Sequence, residues 1–338
     1  MKALVLERHG PADVFAFRDW PEKLLEPGEV SLRVQHAGLN FADVAARVGL
    51  YPDAPPPPTV LGYEAAGIIE AVGPHVTLRP GQRAVALTHF GGQAERVTVP
   101  ENHVFAVPAS VDLRHAAALP VNYLTAYHML HNVLSLRPGM RLLVHMAAGG
   151  VGLAVIDLCR SFPGLELFGT ASAAKHAVLS AKGLHHPIDY RTQDYAERIR
   201  ALTKGRGVDA VLNPLGGNDW GNSYELLAPS GHMVCFGWSN IVSGSRRNLL
   251  AAAFGLLRMP RFSPARLMKD NRTVSGVNLG GLWRETGMIQ RTMTTLIRKL
   301  EAGDVRPHVD RTFPLAQGAQ AHRYMQSRAN VGKVLLSA

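Results

Sequence analysis

The chain has 338 residues, a length that predicts two domains. Hydrophobic residues make up 46% and charged residues 18%, which excludes a disordered polyampholyte and provides for ordinary buried cores. The net charge of +10 comes from scattered Lys and Arg and implies no nucleic acid, and two cysteines exclude a disulfide framework or a four-ligand structural zinc site.

The first 120 residues read as short strands and turns. Lys2–Leu6, Val30–Val34, the stretch 61–73 and Arg83–Leu87 carry strand patterning, punctuated by Pro27-Gly28 and Pro80-Gly81. That spacing predicts a β-rich, barrel-like domain. The middle changes rhythm. Strands are expected at Leu142–Met146, Glu166–Gly169, Pro187–Tyr190, Val208–Leu212, His232–Gly237 and Thr273–Asn278. Between the first five lie helical segments at Gly150–Phe162, Ala173–Lys182, Thr192–Thr203 and Asp219–Leu227. Strand and helix in alternation predict βαβ units and a doubly wound parallel sheet. A helix follows over Arg284–Glu301. The tail returns to β patterning at Pro307–Phe313 and Lys333–Leu336, around a helix near Ala316–Ala329, and is expected to complete the N-terminal domain. The fold class is therefore α/β, divided into 1–122 with 300–338 and 123–299. No secretory leader and no apolar run long enough to span a bilayer is read, so the expected location is the reducing cytoplasm.

The strongest local signal is Leu142-Leu-Val-His-Met-Ala-Ala-Gly-Gly-Val-Gly152 followed by LAVIDLCR. An apolar strand runs into a glycine turn that opens a helix. Such a turn lets the backbone approach a pyrophosphate, and the helix start supplies free N–H groups and a positive dipole. An NAD site usually carries an acid about twenty residues on, for the ribose 2′-hydroxyl. Here that place holds Ser172, with Lys175 just beyond, and no acid occurs between Glu166 and Asp189. A hydroxyl and an ammonium suit a 2′-phosphate, which a carboxylate would repel. NADPH is the expected cofactor.

The segment Leu61-Gly-Tyr-Glu-Ala-Ala-Gly67, with Ile69-Glu-Ala-Val-Gly73 and Pro80-Gly-Gln-Arg-Ala-Val85, resembles the medium-chain dehydrogenase/reductase signature. In zinc-dependent members a His stands where this chain has Tyr63, and a Cys stands near Gly38 and Leu39. With those ligands replaced, no catalytic metal is expected. Gly38-Leu-Asn40 with Asp43, Thr125-Ala-Tyr127, AAGGVG, GTAS with Lys175, Ile188-Asp-Tyr190 and Asn330-Val-Gly-Lys-Val-Leu-Leu336 resemble the zinc-independent quinone oxidoreductase branch. LNFADVAARVGLY, LPVNYLTAYHML, FGTASAAKH, NPLGG, RPHVD and NVGKVLL are similar to the vesicle amine transport protein homologue group within it.

The resemblance implies a GroES-like catalytic domain and a Rossmann cofactor domain, with NADPH in the cleft. It places Asn40 and Thr125 at the nicotinamide end and Gly149, Gly150 and Val151 at the pyrophosphate. Ser172, Lys175 and Tyr190 fall at the 2′-phosphate, with Phe236 and Asn330 as further cofactor contacts. It implies a homodimer formed by edge pairing of the central sheets, with His232–Phe236 and Thr273–Asn278 near that edge. Many relatives carry a Tyr five positions after the Asn; Ala45 stands there. The implied reaction is hydride transfer from NADPH to a quinone, activated alkene or carbonyl, with the Asn40 amide, a backbone N–H in the cleft or bound water as candidates to stabilise the developing oxyanion. Tyr51, Tyr63 and Tyr123 read as packing residues, and Asp43 and Glu64 as structural hydrogen-bonding groups.

The stretch 243–273 interrupts the βαβ rhythm with an apolar stripe and Arg246, Arg247, Arg258, Arg261 and Arg266. It admits three readings: a lid or other internal packing, an amphipathic membrane contact through 246–266, or a dimer contact. Two functions stand against each other. One is an NADPH-dependent reductase acting on a small quinone, enone or aldehyde-like molecule. The other is an NADPH-binding, membrane-associated or interaction protein with little turnover.

Overall fold

The computed structural model describes residues 1–240 and 259–338. Sixteen strands run in chain order: β1 Lys2–Leu6, β2 Phe15–Asp19, β3 Glu29–Leu39, β4 Thr59–Val60, β5 Glu64–Val72, β6 Arg83–Leu87, β7 Arg96–Pro100, β8 Val104–Ala106, β9 Arg141–Val144, β10 Glu166–Ala171, β11 His186–Asp189, β12 Val208–Asn213, β13 Leu227–Cys235, β14 Thr273–Gly276, β15 Val309–Pro314 and β16 Lys333–Ser337. Their contacts divide the described chain into two units, 1–124 with 279–338 and 125–240 with 259–278.

The first unit is β-rich and GroES-like. A seven-stranded sheet runs β15-β16-β3-β5-β6-β8, with β7 also paired to β3, and a smaller sheet runs β2-β1-β4. The tail enters this unit by sheet pairing: Val334 lies opposite Leu39 and Leu336 opposite Ala37. β3 is eleven residues long because it serves β16, β5 and β7 along its length. The helix Thr286–Glu301 packs in this unit, burying Ile289, Met293 and Leu296. The sequence boundary at residue 300 runs through its end.

The second unit is a six-stranded sheet in the order β11-β10-β9-β12-β13-β14, parallel throughout. Chain order reverses between β9 and β12, the crevice where open α/β sheets bind ligands at the carboxyl ends of their strands. β9 reads Arg-Leu-Leu-Val and β12 Val-Asp-Ala-Val-Leu-Asn, near-continuous apolar runs as a sheet covered on both faces requires. Its core gathers Leu143, Phe168, Ile188, Ile199, Val211, Tyr224 and Met233.

Of the stretch read as a lid, membrane contact or dimer contact, residues 243–258 lie outside the described residues. The remainder packs on the second unit. Phe262 and Leu267 lie against its core, and Arg266 pairs with Glu225 at 2.6 Å while lying over the Tyr224 ring at 4.7 Å. Among the described residues no helix is long and apolar enough to cross a membrane.

Candidate functional site

In the second unit β9 ends at Val144, and the chain turns through His145–Gly149 into the helix Gly150–Cys159. Gly149 is the N-cap, extended, with no side chain closing the helix start. The first-turn N–H groups of this ten-residue helix are thus open to an anion. The turn is tight: a Cβ on Gly152 would lie 2.5 Å from the carbonyl oxygen of Ala147 and 2.6 Å from that of Met146. Met146 itself sits at φ +52°, outside the usual range of a side-chain-bearing residue. Beneath the turn His145 is buried, its ring nitrogens 3.1 Å from Thr170 Oγ1 and 3.0 Å from Ser223 Oγ. Burial lowers its pKa to about 4 despite the nearby Asp219, so the ring is neutral at pH 7.

The next strand end carries Ser172, buried, as N-cap of the short helix Ala173–Lys175; the Lys175 N–H donates to the Ser172 carbonyl at 2.9 Å. The sequence reading misses the acid beside it. Ala171 pairs with Asp189 across β10 and β11. The Asp189 carboxylate is already engaged, by the Arg191 N–H at 3.1 Å and the Thr192 hydroxyl at 3.0 Å. The Arg191 N–H, with the Thr192 hydroxyl and the Ala173 N–H, holds its pKa below the usual value. Through the Ala173 N–H it braces the Ser172–Lys175 turn. Tyr190 follows, 44% exposed, its ring available to a ligand. Phe236 is half-buried past the end of β13, its N–H bonded to the Asn213 carbonyl at 3.1 Å. Thr125 is buried in the helix Pro120–Tyr127. Gly149, Gly150, Val151, Ser172, Lys175, Tyr190 and Phe236 thus all lie at or beyond the carboxyl ends of parallel strands. These donors and this turn fit a phosphorylated dinucleotide.

In the first unit Asn40 is the N-cap of the helix Phe41–Arg47 and is almost fully buried. Its Nδ2 donates to Glu64 Oε1 at 2.8 Å, and its Oδ1 accepts from Lys333 Nζ at 2.7 Å. Lys333 also pairs with Glu64, and Glu64 Oε2 accepts the Val121 N–H at 2.7 Å. Ammonium is donor-only and ionised carboxylate acceptor-only, so the Asn40 amide has one permitted orientation. Asp43 closes the cluster, accepting the Asn40 N–H at 2.7 Å and the Gly62 N–H at 2.9 Å. Burial pushes its pKa up to about 7, against those two bonds and Lys333. Gly38 makes room for the cluster: a Cβ there would stand 2.4 Å from Glu64 Oε1. Asn330 lies in this unit too, donating to the Gly332 carbonyl at 2.8 Å. Lys333 is the member the sequence reading does not single out; its signal is a lone lysine within the apolar strand run KVLL. Among the described residues no three His, Cys, Asp or Glu side chains gather where they could hold a metal ion.

A parallel sheet with a glycine turn at its switch point, in a chain that also folds a GroES-like unit, defines an oxidoreductase of the two-unit dehydrogenase kind. Two family models match, zinc-binding dehydrogenase over residues 182–336 and alcohol dehydrogenase GroES-like domain over residues 26–109. The synaptic vesicle membrane protein VAT-1 homolog of Danio rerio is 44% identical, over 99% of this chain and 70% of that protein. A 2-haloacrylate reductase of a Burkholderia species is 32% identical, over 99% of this chain and 98% of that one. The Escherichia coli quinone oxidoreductase, solved in complex with NADPH, superposes with a TM-score of 0.88 at 27% identity and full coverage of both chains. The chain belongs to the medium-chain dehydrogenase/reductase superfamily, in the group of the VAT-1 homologues.

Proposed function

We propose that this protein is a zinc-independent, NADPH-dependent oxidoreductase that reduces a quinone or an α,β-unsaturated carbonyl compound. The observation that carries the reading is the Ser172–Lys175 turn, which sets a hydroxyl and an ammonium, in place of an acid of its own, at the end of β10. The cofactor supplies a hydride from its nicotinamide ring. The chain's own groups do the rest. The Gly149–Val151 N–H groups take the pyrophosphate. Ser172 donates to the 2′-phosphate and Lys175 neutralises it, with Tyr190 against the adenine side. Asn40, its amide oriented by Lys333 and Glu64, is the candidate stabiliser of the developing oxyanion. A relative named 2-haloacrylate reductase and a neighbour named quinone oxidoreductase support an activated alkene or quinone as substrate.

The proposal places the protein in the cytoplasm, consistent with its two free thiols. It also makes the protein a homodimer through β14, whose outer edge has no strand beside it among the described residues. The alternative, an NADPH-binding factor with little turnover, draws support from a relative named as a synaptic vesicle membrane protein. Steady-state NADPH oxidation with a panel of quinones and enones separates the two; tight NADPH binding with no turnover selects the alternative. Lys175→Ala tests the cofactor. NADPH binding should weaken severalfold and NADH binding hardly change, and equal losses for both would discard the 2′-phosphate assignment.

A further inference from the structure

The glycine turn of the second unit is strained, and the strain has a built support. Met146 sits at φ +52°, in the left-handed region, where a residue with a side chain persists only if its surroundings over-determine it. Its neighbours are pinned to the strands on either side. The His145 N–H donates to the Leu212 carbonyl of β12 at 3.0 Å, and the Ala147 N–H to the Thr170 carbonyl of β10 at 3.1 Å. Met146 turns between them. Its own N–H donates to the Thr170 hydroxyl at 3.3 Å, and its carbonyl packs on Gly152, in the first turn of the helix. The direction of the Met146 peptide therefore sets where that helix begins and how its first N–H groups point.

The Thr170 hydroxyl is one end of a buried chain. Its Oγ1 lies 3.1 Å from His145 Nδ1, and His145 Nε2 lies 3.0 Å from Ser223 Oγ. Ser223 Oγ accepts from Asn213 Nδ2 at 2.8 Å, and Asn213 Oδ1 accepts the Leu215 N–H at 2.7 Å. Thr170, His145, Ser223 and Asn213 are all buried, and all belong to the second unit. The donors fix the order of the chain. The Leu215 N–H can only donate, so the Asn213 amide has one orientation and gives its hydrogen to Ser223. A neutral imidazole has one N–H and one lone pair, so it gives a hydrogen to one hydroxyl and accepts one from the other. An imidazolium has no lone pair with which to accept. Burial keeps His145 neutral at pH 7. The hydroxyl that meets Met146 is thus held from behind, by side chains of two strand ends and of the helix Asn218–Glu225.

We propose that Thr170 and His145 are positioning residues for the pyrophosphate of the cofactor: the Thr170 hydroxyl, held by His145, fixes the Met146 turn and so aims the Gly150 and Val151 N–H groups. Both side chains are too buried to touch the cofactor and act through the Met146 backbone. The inference rests on the proposed cofactor reading and names the groups that shape its turn. One chemical difference separates this support from the Ser172–Lys175 end. Pyrophosphate is common to NADPH and NADH, whereas the 2′-phosphate belongs to NADPH alone. Loss of the Thr170 hydroxyl leaves the Met146 N–H without its partner, and the two dinucleotides lose affinity alike.

The test uses the full chain in three variants. Thr170→Val keeps the shape and removes the hydroxyl, Thr170→Ser keeps the hydroxyl, and Ser223→Ala removes the next partner of His145. Calorimetry measures the binding of NADPH, NADH and 2′-AMP, the last carrying a 2′-phosphate and no pyrophosphate. Thr170→Val should weaken NADPH and NADH by the same factor, about tenfold, and leave 2′-AMP unchanged. Thr170→Ser should stay within about twofold of wild type, and Ser223→Ala should repeat the Thr170→Val pattern at about threefold. In the ligand-free chain the Met146 amide should exchange its hydrogen faster in Thr170→Val than in Thr170→Ser. Dinucleotide affinity unaltered in both Thr170→Val and Ser223→Ala overturns the positioning role. So does a loss of 2′-AMP affinity as large as that of NADPH, the mark of a general loosening. NADH bound by the wild type as tightly as NADPH, and weakened by Thr170→Val, upholds the positioning role and refutes the 2′-phosphate reading.

Discussion

Lys333 is 2% exposed and Glu64 fully buried, yet they form the ion pair on which the Asn40 amide is hung. Removing one partner of such a pair strands a charge, at a cost of about 3–5 kcal/mol, whereas removing both charges is far milder. Lys333→Met should therefore lose about that much in urea unfolding, and Lys333→Met with Glu64→Gln should recover most of it. A single variant as stable as wild type would show that the pair is not what holds the strand and helix together. The pH dependence has a named source in His145. Its ring titrates near 6.5 when unfolded and near 4 when folded, because burial disfavours the cation. Between those values the unfolded chain takes a proton that the folded chain refuses, so the stabilisation present at neutral pH is lost on acidification, about 3 kcal/mol in all. The stability gap between wild type and His145→Gln should narrow by about that amount from pH 7 to pH 4. The opposite slope from Asp43, whose pKa is raised, cancels in this difference. Asp43 and Glu64 were legible as hydrogen-bonding groups, but Lys333 lies nearly three hundred residues from Asn40 and nothing local marks its partner.

The glycine turn shows how far local pattern reaches at the scale of an element. Strand, turn and helix are contiguous, so LLVHMAAGGVG announces all three before any tertiary contact is known. The Cβ distances add the reason that Gly152 cannot change. Gly152→Ala should shift the turn, cost about 1–3 kcal/mol and abolish measurable NADPH binding by fluorescence titration. Wild-type affinity in this variant would mean that the pyrophosphate does not sit at the turn. Other boundaries depended on partners. β13 begins at Leu227, five residues before the expected start, because Val208 pairs with Leu227 ahead of a register shift to Ala210 and His232. The sequence there reads Ala-Pro-Ser-Gly, a breaker signal that is kept as the bulge between those two pairs, with Ser230 at φ +65°. The acid at the end of β11 is a similar case: seventeen residues separate it from Ser172 along the chain, and only sheet pairing sets it beside the Ser172–Lys175 turn.

Across the whole molecule the two units are interleaved in sequence, the first closing only when the tail adds β15 and β16 to a sheet begun by β3. Among the described residues β14 ends the parallel sheet, and the proposed homodimer would pair at its outer edge. Light scattering should return twice the chain mass, and Gly276→Pro, which removes a donor at that edge because its neighbour Val277 is the one bonded inward to Cys235, should raise the monomer fraction; a wild-type monomer at working concentration refutes the pairing. The sequence by itself determined the α/β class, the order of strands and helices and the glycine turn, because these rest on patterns a few residues long. Only the tertiary structure decided that Lys333 orients Asn40 and that Asp189 lies against the Ser172–Lys175 turn. Hydrogen-bond satisfaction is a property of neighbours in space, and a chain does not carry those neighbours next to one another.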